Sequence, residues 1–258
     1  RMRVIRFSDA DFAKQLAQVT APSSLFDAVI EQRTRAILDD VRARGDAALL
    51  ELTERFDAAK LSAEQLSVTQ AEHMAASLKA DESLRAAVGE AEANIASFAR
   101  KSRRKDWCMK NSHGAAVGEK FDPFQRVGVY IPGGTAPLVS TALMTITLAK
   151  VAGCKEIVVC TPCGKDGSIN PALLFAARAA GATEIYRAGG AQAIAAMAYG
   201  TATIRRVQKI FGPGNAYVAE AKRRVFGTVG IDMIAGPSEI LVMEDGSKPH
   251  EWVATDMF

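Results

Sequence analysis

The sequence V-Q-K-I-F-G-P-G-N-A-Y-V-A-E-A-K-R-R-V-F-G-T-V-G-I-D-M-I-A-G-P-S-E, residues 207–239, decides the fold. It runs from a short apolar stretch through a glycine turn into an amphipathic segment with helical spacing. A second apolar stretch and a second turn follow. That periodicity predicts a βαβ unit. Gly212 and Gly214 flank Pro213 where the first strand hands over to the helix, a place where glycine admits positive φ or close backbone approach. Asn215 stands at the N-cap position, and the free N–H groups after it favour an anion such as a phosphate. Tyr217 occupies the place of a third glycine in a dinucleotide fingerprint. Asp232 lies about twenty residues on, where an acidic ribose partner is expected. The pattern equally fits an ordinary strand-to-helix turn whose glycines serve packing alone.

Moving back along the chain, βα units repeat from about Phe121 onward, with Asp122-Pro123-Phe124 as a boundary. Strands are predicted over 127–131, 156–160 and 184–188, and helices over 138–152, 171–180 and 191–199. Asn170 caps the second helix, with Pro171 at its first position. This alternation predicts an α/β fold with a Rossmann-like parallel sheet flanked by helices. Right-handed crossovers bring the strand-to-helix turns to one edge of such a sheet. Those turns are Pro132-Gly133-Gly134, Gly189-Gly190, Gly212-Pro213-Gly214 and Gly236-Pro237-Ser238, and glycine there is expected to open room for a ligand.

The first 105 residues or so read as mainly helical. A short strand is expected over 2–7 and a helix capped by Ser8 or Asp9 through Gln18. Further helices are expected over 23–42, 46–56 and 81–102, with Gly45 as a stop. Thr69 and Glu72 have capping-box spacing. The basic run Arg100–Lys105 reads as a solvated helix end, which the helix dipole favours, since no aromatic platform for nucleic acid accompanies it.

Composition narrows the class. The chain has 258 residues, 48% hydrophobic and 24% charged, with net charge +3. That is a soluble globular balance with no bias toward nucleic acid or membrane. No apolar run reaches membrane-spanning length and no secretory signal is visible. Arg1 ahead of Met2 suggests a residue added before the natural start. Cys108, Cys154, Cys160 and Cys163 make no disulfide framework, so a reducing, cytoplasmic setting is expected. Cys160-Thr161-Pro162-Cys163 has C-x-x-C spacing without a second pair and reads as incidental. His73, His113 and His250 share no metal-ligand spacing.

Candidate ligand contacts stand at the glycine turns. Tyr130 ends its strand beside Pro132-Gly133, where its ring can stack and its hydroxyl can hydrogen-bond, though a core tyrosine would read the same. Gln192 is a long amide in the first turn of a helix of small residues. Ser238 could contact a ligand, cap a helix or, least of all without a nearby base, act as a nucleophile.

Taken together, R-V-G-V-Y-I-P-G-G (126–134), A-G-G-A-Q-A (188–193), K-I-F-G-P-G-N (209–215) and I-D-M-I-A-G-P-S-E (231–239) resemble the histidinol dehydrogenase family. The resemblance implies NAD-dependent, zinc-assisted oxidation of L-histidinol to L-histidine by way of the aldehyde, the last steps of histidine biosynthesis. It implies NAD contacts at Tyr130, Gln192 and Asn215 and a substrate contact at Ser238. It also implies a homodimer and an aldehyde-dehydrogenase-like fold. On this reading residues 1–122 hold the helical region and the start of a first α/β domain. Residues 123–236 form the NAD-binding domain, and 237–258 return to the first. The family's zinc ligands and its paired acid–base residues fall beyond Phe258, so no catalytic or metal residue is expected in this chain, and the chain alone is expected to be inactive. The competing readings are another aldehyde-dehydrogenase-like NAD(P) enzyme with Cys154 or Cys160 as nucleophile, and a non-catalytic nucleotide-binding domain.

Overall fold

The structure, a computed structural model, describes residues 5–19, 27–133, 137–235, 242, 243 and 245–257. Residues 24–235 pack as one compact unit, and residues 1–23 with 236–258 form a second. The second contains helices α1 (Phe12–Val19) and α10 (His250–Met257). Residues 5–7 carry no strand, and the rest of the strand expected at 2–7 lies outside the described residues.

In the larger unit the chain runs through α2 (Ala28–Arg44), α3 (Asp46–Asp57), a 3-10 turn (Glu64–Leu66), α4 (Gln70–Lys79) and α5 (Glu82–Ser102). The start of α2 corrects the expected boundary at Ser23: Asp27 is the cap, its carboxylate accepting the Val29 and Ile30 N–H groups. Thr69 and Glu72 form the expected capping box. Sequence reading missed the antiparallel hairpin β1 (Trp107–Lys110) and β2 (Ala116–Glu119), because all its residues are exposed and no buried face imposes a clear alternation.

Five parallel strands follow: β3 (Arg126–Tyr130), β4 (Glu156–Thr161), β5 (Glu184–Arg187), β6 (Lys209–Phe211) and β7 (Gly230–Ile231), in spatial order β5-β4-β3-β6-β7. Their crossovers are α6 (Val139–Ala152), α7 (Pro171–Ala180), α8 (Gly190–Tyr199) and α9 (Ala216–Val225). The chain first steps outward from β3 to β5, then returns through α8 to the other side of β3. The order therefore reverses between β3 and β6, the switch point of a doubly wound sheet.

Strand alternation sorts the core. Val127, Val129, Ile157, Val159 and Ile185 belong to one buried cluster with α6 and α7. Tyr130, Val158, Cys160, Tyr186 and Ile210 belong to another with α8 and α9. The N-terminal helices complete these layers. α4 and α5 join the α6–α7 side, while α2 and α3 pack on α8 and α9. Both faces are thus covered, as apolar parallel strands demand.

Charges bind the opposite, N-terminal ends of the strands. Arg126, the first residue of β3, donates to Glu156 Oε2 at 2.6 Å and to both Glu184 oxygens at 2.6 and 2.7 Å. Glu184 also accepts the Tyr186 hydroxyl at 2.7 Å. At the carboxyl end of β5, by contrast, Arg187 donates to the carbonyls of Gly167, Gln65 and Ser67 and pairs with Glu72, tying the α4 capping box to the sheet.

Hydrogen bonding to Arg126 holds the Glu184 carboxyl at about 2, below its ordinary 4.5. A depressed folded-state value stabilises the fold above the unfolded value, and that stability is lost as pH falls toward the folded one. Wild-type protein should therefore lose on the order of a few kcal/mol as pH falls from 4.5 toward 2. Denaturant unfolding across that window should show a much flatter profile for Glu184→Gln.

Candidate functional site

A cavity of about 1240 Å³ opens at the carboxyl ends of the strands, and Tyr130, Gln192 and Asn215 all line it. They arrive from three different elements. Tyr130 ends β3, the central strand. Gln192 lies in the first turn of α8, and Asn215 caps α9. The reversal of strand order explains the gap: the loops after β3 and β6 leave the sheet in opposite directions and open a crevice between them. Ser238, Gly134 and Gly236 lie outside the described residues.

The three side chains differ in how they are held. Tyr130 is buried, and its hydroxyl accepts the Gly190 N–H at 3.0 Å. Burial pushes the phenol up to about 12, so it stays protonated and can still donate. Gln192 is only 2% exposed, yet it borders the cavity. The Asn215 oxygen accepts the Val218 N–H at 3.1 Å, which leaves its amide N–H groups as donors. Tyr217, in place of a third glycine, also faces the cavity and accepts a hydrogen bond from Arg33 Nη1 at 3.3 Å.

Gly212 shows the expected positive φ and close backbone approach, but not the expected opening of room for a ligand. Gly212 has φ +120, and a Cβ there would lie 2.0 Å from the Tyr130 carbonyl oxygen. A Cβ on Gly189 would meet Pro162 Cβ at 2.8 Å. The loops press on one another, so these glycines are required by close packing at the rim rather than by ligand space. The cavity is what remains beside the packed loops.

Asp232 is a second correction. It does not border this cavity but a separate one of about 640 Å³ on the other side of the β6 turn. Its Oδ2 accepts the Gly212 N–H at 2.9 Å, and its other oxygen pairs with Lys222. Lys222 is buried and also donates to the Gly212 carbonyl at 2.9 Å. The acidic residue about twenty positions after the glycines is thus a clamp on the loop. Lys222 carried no sequence signal beyond its place on an amphipathic helix, and only the fold shows it reaching back to the turn.

The cysteines are poorly suited to nucleophilic roles. Burial pushes Cys160 up to about 12 and Cys163 up to about 11, and it raises Cys154 as well. A reactive cysteine needs the opposite environment. No group of three or more His, Cys, Asp or Glu that could hold a metal ion occurs among the described residues. No helix among them is long and apolar enough to cross a membrane.

Two glycines with positive φ separate packing from conformation. Gly212→Ala should cost roughly 3 kcal/mol or more, since strain and a backbone clash act together. Gly227→Ala, at φ +95 with nothing near its Cβ position, should cost only about 1–2 kcal/mol. Chemical denaturation of the two variants measures the difference.

The histidinol dehydrogenase family profile matches residues 22–258. The chain is 51% identical over 228 residues to the histidinol dehydrogenase of Symbiobacterium thermophilum, covering 88% of this chain and 52% of that protein. It is 50% identical over 230 residues to that of Geobacillus kaustophilus, covering 88% and 54%. The crystal structure of histidinol dehydrogenase from Elizabethkingia anophelis matches with a TM-score of 0.83 at 40% identity, over 88% of this chain and 52% of that one. The chain spans about half the length of the relatives it matches. With its glycine turns, its parallel sheet and most of its residues matched, the chain belongs to the histidinol dehydrogenase family.

Proposed function

We propose that this chain is the dinucleotide-binding part of an enzyme that oxidises L-histidinol to L-histidine with NAD. The observation that carries the reading is the convergence of Tyr130, Gln192 and Asn215 on one cavity at the switch point of the sheet. Residues 123–236 form the NAD-binding domain in this reading. The first N–H groups of α9 and the Asn215 amide receive the pyrophosphate. The Tyr130 ring and hydroxyl and the Gln192 amide hold flat, polar parts of the cofactor by stacking and hydrogen bonding.

Bound NAD supplies the hydride acceptor for each of two oxidations, alcohol to aldehyde and aldehyde to carboxylate. This chain's contribution is orientation: it fixes the cofactor on a rigid sheet edge so that the substrate meets it in one geometry. Ser238 contacts the substrate. Zinc does not fit the described residues, which offer no group of three or more His, Cys, Asp or Glu to hold it. The complete enzyme is a homodimer in the cytoplasm in this reading, and the chain by itself forms no NADH from histidinol. A cysteine-dependent aldehyde dehydrogenase fits less well, because Cys154 and Cys160 are both shifted away from the thiolate.

Calorimetric titration with NAD tests the proposal. Gln192→Ala and Asn215→Ala should each weaken binding about five- to thirtyfold, the loss of one or two hydrogen bonds. Unchanged affinity in both variants, with folding intact, would sink the reading.

A further inference from the structure

One carboxylate on the cavity has a buried oxygen without a hydrogen-bond partner. Asp57 ends α3 and lines the cavity, and its Oδ2 is buried with no hydrogen-bond partner. That oxygen lies against the start of α8, since a Cβ on Gly189 would come within 3.2 Å of it. Its neighbours Tyr130 and Cys163 feel its charge, and both are acids that burial keeps protonated. Burial alone pushes the Asp57 carboxyl up to about 6, the mark of a carboxylate that the protein leaves without donors.

The placement is costly in two further ways. A carboxylate at the C-terminal end of a helix faces the unfavourable end of the dipole. Immediately after it, Ala58 holds φ 55, the one non-glycine residue with positive φ among the described residues, a conformation that disfavours a Cβ. Backbone strain and unpartnered buried polar groups cluster at functional sites, ligand clamps among them. The neighbouring Phe56 ring also lines the cavity and is 51% exposed, with the Arg55 guanidinium 5.3 Å from its centroid. A flat apolar face beside an acceptor without donors fits a base joined to a sugar. A phosphate would be repelled there, so the charged part of a dinucleotide must lie elsewhere.

We propose that Asp57, and not Asp232, is the residue that recognises the adenosine ribose: it accepts the 2′-hydroxyl of NAD and repels the phosphate that NADP carries at that position. This rests on the dinucleotide reading of the cavity. The carboxylate gains the donor it lacks, and cofactor selectivity follows from the same contact.

The test is titration of the protein with NAD, NADP and NAD lacking the adenosine 2′-hydroxyl. Wild-type protein should bind NAD at least about tenfold more tightly than either analogue, as expected for a hydrogen bond to a charged group. Asp57→Asn should weaken NAD binding by about tenfold and leave NADP binding equal or tighter, so that the preference shrinks. Loss of NAD and NADP binding by the same factor overturns the assignment. So does NADP binding to wild-type protein as tightly as NAD, because Arg33 or Arg55 would then be gathering the phosphate. The deoxy analogue needs no variant, so equal binding of it and NAD overturns the assignment even if Asp57→Asn does not fold. Failure of wild-type protein to bind NAD overturns both readings; NAD binding indifferent to Asp57→Asn overturns this one alone.

Discussion

The contact between Gly212 and the carbonyl of Tyr130 sets the geometry of the site. A parallel sheet whose strand order reverses must send two neighbouring strands into loops that diverge. The β6 loop can leave only by passing directly over the end of β3, and at that crossing there is no room for a Cβ. Lys222 and Asp232 fix the crossing by bonding both the carbonyl and the N–H of Gly212. Removing one partner of such a pair leaves the other charge poorly satisfied, at a cost of about 3–5 kcal/mol when fully buried and less for Asp232, which keeps some access to solvent.

The two ends of the sheet divide the work. At the amino ends, Arg126 gathers Glu156 and Glu184 into an ion cluster with nearly every donor used. At the carboxyl ends Arg187 is engaged in the same way, but around the cavity polar groups are left over: the Tyr130 hydroxyl proton, the Asn215 amide and the Asp57 Oδ2. A satisfied network stiffens a fold, whereas unsatisfied groups around a cavity hold binding energy for a ligand. The N-terminal helices serve both purposes. They close the two faces of the sheet, and α3 delivers Phe56 and Asp57 to the cavity.

Membership of the histidinol dehydrogenase family rests on matches along nearly the whole chain, and these span about half of each relative. Among the described residues, the glycine turns of three motifs pack closely. Gly133 and Gly189 both lie against Pro162, and Gly212 lies against the Tyr130 carbonyl, so these three motifs form a single packing unit although they are far apart in sequence.

Sequence alone determined the helices and strands wherever periodicity and caps agreed, as at Thr69–Glu72, Asn170–Pro171 and Asn215, because these signals are local. It also placed Tyr130, Gln192 and Asn215 at strand-to-helix turns, since a parallel sheet collects such turns on one edge. It could not distinguish Asp232 from Asp57. Both are acidic residues near apolar runs, and only three-dimensional packing gives one a lysine and a glycine N–H while leaving the other without a donor. The exposed hairpin after α5 was likewise invisible, for want of a buried face. What tertiary structure decided was which polar groups the fold itself satisfies, because hydrogen-bond partners separated by long stretches of chain have no signature in local sequence.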